Sequence, residues 1–162
     1  MRMILDSGAR QEFESGAVRD VAEGKGRCDL LPIDVIADIL YDEKGLDILY
    51  GVRDFVKHRD VSALEHAILS FAHYCLDWSV EQMLLEVSKH FEEGAKKYAE
   101  RNWEKGIPLH CYVDSGIRHL LKHLDGYTDE RHDRAFVWNM MCLWWTYEHK
   151  PELDDLPKEE SK

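Results

Sequence analysis

The sequence predicts an all-α protein built as a helical bundle. Apolar residues recur at helical spacing from Ile33 to Trp145. Two boxes, Ser62 with Glu65 and Ser79 with Gln82, have the reciprocal capping pattern that opens helices. No stretch alternates apolar and polar residues convincingly as a strand does.

Residues Met1 to Arg27 lack periodicity and are rich in glycine, serine and charge, so they read as an extended loop. Pro32 suits a first helical position, and Ile33, Ile36, Ala37 and Leu40 continue that helix. A second helix runs from Asp47 to Lys57 with Tyr50 to Phe55 near its middle. Ser62 opens a third, with Leu64, Ile68, Phe71 and Cys75 on one face. The Ser79 box opens a longer helix to about Arg101, with Leu84, Val87, Phe91, Ala95 and Tyr98 as its inward stripe. Asn102 to Pro108 break it. Tyr112 to Leu124 then turn Val113, Ile117, Leu120 and Leu124 inward until Gly126 stops the helix. The last helix starts near Thr128 and ends before Pro151, leaving a charged tail that is expected to fray.

With 162 residues, 44% hydrophobic and 33% charged, the chain suits one domain over 1–150 with a real core. A net charge of −11 argues against duplex nucleic acid or an anionic membrane as partner. It leaves a phosphate substrate open, because a bound cation inverts the local sign. Cys28, Cys75, Cys111 and Cys142 stand singly, which favours a reducing cytoplasm over a zinc knuckle or disulfide framework. The richest apolar run, Phe136 to Tyr147, is interrupted by Asn139 and too short to span a membrane, and the N-terminus is too polar for a signal peptide. The expected location is cytoplasmic.

Polar groups set in apolar helices need partners. Glu92 stands at the edge of the expected stripe beside Ser88 and Ala99, as either a metal ligand or a surface partner of Lys96. Glu93, on the other side with Glu86, His90 and Lys97, reads as a surface partner. Asp114 and Arg118 form an i,i+4 pair, in which Arg118 either closes a salt bridge or offers its fork to a phosphate. His119 points away from that stripe. His132 and Asn139 share the inner face of a last helix that is apolar nearly all round. Asp129 serves as cap or ligand at its start, and Glu130-x-x-Asp133 has metal-ligand spacing. Gly24-Lys25-Gly26-Arg27 is a basic, permissive loop able to approach phosphates, without the ending of a P-loop. His58, His66 and His73 read as structural or exposed.

Two blocks together, Phe13 to Pro32 and Phe91 to Asn139, resemble the phage and prophage dATP/dGTP diphosphohydrolase family, the MazZ-like relatives of the MazG all-α nucleotide pyrophosphohydrolases. The first carries Ser15-Gly16-Ala17-Val18-Arg19, Gly24-Lys25-Gly26-Arg27 and Asp29-Leu30-Leu31-Pro32. The second carries Glu92-x-Gly94-Ala95-x-Lys97-Tyr98, Asn102-Trp103-x-x-Gly106, Arg118-His119, Asp129-Glu130-x-His132 and Trp138-Asn139.

The resemblance implies a helical, usually dimeric enzyme that cuts a purine deoxynucleoside triphosphate between the α- and β-phosphates, using Mg2+ or Mn2+. It implies catalytic roles for Glu92, Asp129 and His132. Metal ligands would be Glu92 from the first helix and Asp129 with neighbouring Glu130 or His132 from the later one, with Asp133 added by its spacing from Glu130. Lys25, Arg27, Lys97 and Arg118 would face phosphates, with Asn102, Trp103, His119 and Asn139 near the substrate. The segment from about 40 to 84 stands as a helical insertion, and Glu92 has Ala95 where the MazG pattern repeats a glutamate. Trp138, Met141, Trp144 and Trp145 offer apolar surface for a homodimer. Two rivals remain: an HD-type triphosphohydrolase, prompted by His119 and His132-Asp133, and a non-enzymatic acidic phage protein that mimics DNA, prompted by the charge.

Overall fold

The computed structural model describes residues 8–39 and 47–158. Over these the protein is all-α: α1 Ile33–Ile39, α2 Asp47–His58, α3 Val61–Ser70, α4 Val80–Lys97, α5 Leu109–Leu124 and α6 His132–His149. Residues Met1 to Ser7 and Leu40 lie outside the described residues.

The N-terminal segment departs from the expected loop. Strands β1 Arg10–Glu12 and β2 Val18–Asp20 form an antiparallel hairpin, with Gln11 opposite Arg19 and Glu12 opposite Val18. Three-residue strands are too short to show alternation, which is why the sequence hides them.

Helix α3 is capped by Asp60, not Ser62. Arg59 turns left-handed at φ 57°, ending α2, and the Asp60 carboxylate then accepts the Ala63 N–H at 3.1 Å. The helix continues into a π-helical turn, Phe71–Cys75, which places Phe71 in the core. The second box is used as read: Ser79 Oγ accepts the Gln82 N–H at 3.2 Å, and Gln82 Oε1 accepts the Ser79 N–H at 2.8 Å.

Helix α4 ends at Lys97 and is rolled by about one residue from the expected face. Its buried residues are Met83, Val87 and His90, whereas Leu84 and Leu85 are exposed. Charge accounts for the roll. Arg134 of α6, only 5% exposed, donates from Nε to Glu86 Oε2 at 2.9 Å and lies 3.7 Å from Glu93 Oε1. A buried guanidinium requires carboxylates around it, so the glutamates turn inward in place of the leucines.

The antiparallel pair α5 and α6 is the spine. Tyr112 meets Thr146, Gly116 meets Met140, and His119 meets His132, so the contacts run in opposite order along the two helices. A Cβ on Gly116 would stand 2.3 Å from Met140 Cε, so glycine lets the methionine methyl rest against the α5 backbone, and a larger residue would displace it. Phe55, Phe71, Tyr112, Leu120 and Phe136 are essentially fully buried around this spine. Gly126, at φ 78°, ends α5 as expected.

The tail does not fray over its described part. Arg59 donates Nε and Nη2 to the Asp154 carboxylate at 2.8 and 2.9 Å, and Leu156 is 5% exposed in the core. Of the residues expected to offer a dimer surface, Trp138 and Trp145 also pack against rings of their own chain. Trp103 meets Phe91 and Trp145 at centroid distances of 5.5 and 5.1 Å, and Trp138 meets Phe91 at 6.0 Å. Among the described residues, no helix is long and apolar enough to cross a membrane.

Candidate active site

A cleft of about 1500 Å3 opens between the hairpin, the second half of α4, the Asn102–Lys105 turn and the outer side of α5 and α6. The hairpin is tied to that turn by one side chain. Asn102 Oδ1 accepts the Val18 N–H and its Nδ2 donates to Val18 O, each at 3.0 Å, as a further strand would. Lys97 secures the other edge through Asp20 at 2.6 Å and is 9% exposed. Asn102 and Lys97, expected near substrate, therefore build the wall; Asn102 also lines the cleft, as does Trp103.

Arg19 reaches across the cleft floor. Its Nη1 donates to Cys111 O at 3.3 Å and its Nη2 to Asn139 Oδ1 at 3.1 Å, while its guanidinium lies 5.8 Å from the ring centroids of Tyr112 and Trp138. Asn139 donates Nδ2 to Ala135 O at 2.7 Å, which aims its oxygen at Arg19. Sequence reasoning assigned Arg19 no role, because nothing in a three-residue strand marks which side chain points inward.

At the mouth, Asp114 accepts the Cys28 N–H at 2.6 Å and pairs with Arg118. This anchors the basic loop against α5. Lys25 and Arg27 are exposed and line the opening. Arg27 forks onto Asp29 at 2.7 and 2.5 Å, a hydrogen bond that raises its already high pKa. Arg118 Nε is buried without a hydrogen-bond partner, a donor left over on the cleft wall.

Behind Arg118 the turn between α5 and α6 gathers three groups. His119 Nδ1 and His132 Nδ1 are 2.9 Å apart, and Glu130 Oε1 lies 3.7 Å from each. Their ligating atoms all fall within 4.8 Å of one another, an arrangement able to hold a metal ion. Burial, aided by His132, holds His119 well below the ordinary histidine pKa and therefore neutral. Asp129 stands outside the trio with its Oδ1 2.7 Å from His132 Nε2, and that hydrogen bond takes its pKa down to about 2. His119 and Glu130 line the cleft, and His132 is buried behind them.

The other carboxylates expected to join do not. Glu92 is 59% exposed, lies outside the cleft lining and pairs with Lys96, whose hydrogen bond lowers its pKa. The roll of α4 carries it to solvent and brings Glu93 inward. Asp133 turns away as well: it is held by Arg131 at 2.6 Å and by the Arg134 N–H at 2.8 Å. Burial is the largest single influence and would raise the Asp133 pKa, but the hydrogen bonds from Arg131 and the Arg134 N–H, with the nearby positive charge, together bring it down. His90, unassigned in the sequence, lines the cleft with an unpartnered, buried Nδ1; burial drives its pKa down to about 4.

Fold and site together define an all-α protein with an aromatic, cationic cleft walled by carboxylate and imidazole groups, a combination suited to a nucleotide. The chain belongs to the dATP/dGTP diphosphohydrolase family: residues 72–156, more than half of its length, match the family's N-terminal region. That stretch contains α4, α5, α6 and the histidine cluster, whereas the hairpin and basic loop precede it. It also takes in residues 72–84 of the segment expected as an insertion. No curated protein and no solved structure shows a significant match to the chain.

Proposed function

We propose that the chain hydrolyses a purine deoxynucleoside triphosphate, dATP or dGTP, to the monophosphate and pyrophosphate, with Mg2+ or Mn2+ as cofactor. One observation beyond family membership carries the reading: Arg19, Arg118, Lys25 and Arg27 line one cleft together with Glu130 and His119. The guanidinium and ammonium groups bind and orient the triphosphate. Trp103 and Trp138, lining the same cleft, provide ring surface for a purine. Glu130, the cleft-lining carboxylate of the α5–α6 turn, would help to hold a divalent cation, which when bound would lower the pKa of the attacking water and neutralise charge on the departing pyrophosphate. Asp114 orients Arg118, and Asn139 orients Arg19, so both forks are set before substrate arrives.

The test is a panel of deoxynucleoside triphosphates with Mg2+ or Mn2+ in oxygen-18 water, with products separated by ion exchange. Attack at the α-phosphorus places the label in the monophosphate and none in pyrophosphate. Free deoxynucleoside with tripolyphosphate would favour the HD-type rival, for which Asp133 would have to leave Arg131. Absence of turnover on every triphosphate would remove the enzymatic reading.

A further inference from the structure

We propose that His119, His132 and Glu130 form a binding site for a divalent first-row transition ion such as zinc or manganese, with Asp129 as the group that orients His132. The site rests on these side chains alone; its part in catalysis rests on the function proposed above.

The argument begins at Asp129. An aspartate at neutral pH is ionised and can only accept hydrogen bonds. Its Oδ1 lies 2.7 Å from His132 Nε2, so that nitrogen carries the proton. With Nε2 turned to Asp129, Nδ1 is the His132 nitrogen left to face a cation, and it lies 2.9 Å from His119 Nδ1. A carboxylate that receives one imidazole N–H and so directs the other nitrogen at a cation is the usual support of a metal-bound histidine.

Spacing agrees with this reading. With metal–nitrogen distances of about 2.0–2.1 Å, adjacent ligands of an octahedral ion stand about 2.9 Å apart, and those of a tetrahedral ion about 3.4 Å. The histidine pair has the first spacing, at 2.9 Å, and Glu130 Oε1 at 3.7 Å from both closes the triangle with small adjustment. Two imidazoles and one carboxylate on one side of an ion suit zinc, iron(II), cobalt or manganese, whereas magnesium prefers oxygen throughout. Burial leaves one direction open. His132 closes the back, and His119 and Glu130 line the cleft, so the vacant positions of the ion would face the cavity that holds Arg118. Three protein ligands with an open face are the pattern of a reactive site, not a structural one.

The direct test is histidine side-chain nitrogen NMR on the intact wild-type protein titrated with zinc chloride. The expected result is that Nδ1 of His119 and of His132 shift together while the other histidines stay in place. Calorimetry with zinc should give one site at about micromolar affinity or tighter, the scale of a three-ligand site. Glu130→Gln and His119→Ala should weaken it severely, and Asp129→Asn by about 10- to 100-fold. His73→Ala, at an exposed position, should change nothing. No Nδ1 shift at these two histidines, or equal loss of zinc in His73→Ala, overturns the site. Because wild-type spectra carry the result, a variant that fails to fold does not rescue or sink it. If zinc binds here but no deoxynucleoside triphosphate is cleaved, the proposed function falls and the site stands. If Glu130→Gln and His119→Ala keep full turnover, the site has no part in the reaction.

Discussion

Arg19 holds the hairpin to α5 and α6 and, at the same time, presents a cation on the cleft floor. Replacing it with lysine keeps the charge but loses the planar fork that reaches Cys111 O and Asn139 together. In the proposed reaction Arg19→Lys should raise KM by about 10-fold or more with a smaller change in kcat, as expected for contacts shared by ground and transition states. Steady-state kinetics on the preferred triphosphate check this, and unchanged KM would leave Arg19 with the hairpin alone. His90 makes a pH prediction. Its pKa falls from 6.5 to about 4 on folding, so the unfolded chain binds more protons between those values. Stability contributed by the neutral ring is complete above pH 6.5 and is lost as pH falls toward 4. His90→Phe should flatten that loss by on the order of 2 to 3 kcal/mol, read from urea midpoints across this range. An unaltered pH profile would contradict it. The sequence supplied the candidates at this scale but not their neighbours. Arg118, His119 and His132 were visible as groups needing partners, yet the meeting of His119 with His132 depends on how a turn folds back and not on helical spacing.

Among the elements, legibility followed locality. The Ser79–Gln82 box works as read because both of its hydrogen bonds close within three residues. The Ser62–Glu65 box has equally good spelling but yields to Asp60, since the left-handed Arg59 sets the helix start earlier. The face of α4 was misread for a nonlocal reason: Arg134 lies 48 residues from Glu86, and no periodicity records that pairing. Glu92 went to solvent as a consequence. The α5–α6 crossing offers a direct experiment. Gly116→Ala would displace the Met140 terminal methyl and should cost about 1 kcal/mol, seen as a lower thermal midpoint. Adding Met140→Leu, which removes the terminal methyl responsible for the contact, should recover part of that loss. Full stability of Gly116→Ala would show that Met140 swings aside freely.

At the scale of the whole molecule, the protein is a helical body to which two distant segments are fastened. The tail is held by Arg59 and Asp154, 95 residues apart, so a composition-based reading as a frayed end could not have seen it. Arg59→Ala should leave Asp154 unpaired and cost about 2–4 kcal/mol, measured by denaturant unfolding; a wild-type midpoint would refute the clamp. The hairpin is fastened differently, with Ser15 bound to Gly106, Val18 to Asn102, Arg19 to Cys111 and Cys28 to Asp114. Those partners lie between 84 and 92 residues downstream. During synthesis the N-terminal wall of the cleft is therefore made first and finds its place last, after α5 has emerged. Closing such long loops is slow compared with zipping the local α5–α6 hairpin. Hydrogen exchange should record this order in reverse, with the Val18 amide opening well before those of Leu120 and Phe136. Asn102→Ala should widen the gap by speeding Val18 alone, so that the cleft's newest wall is also the one the protein can open without unfolding.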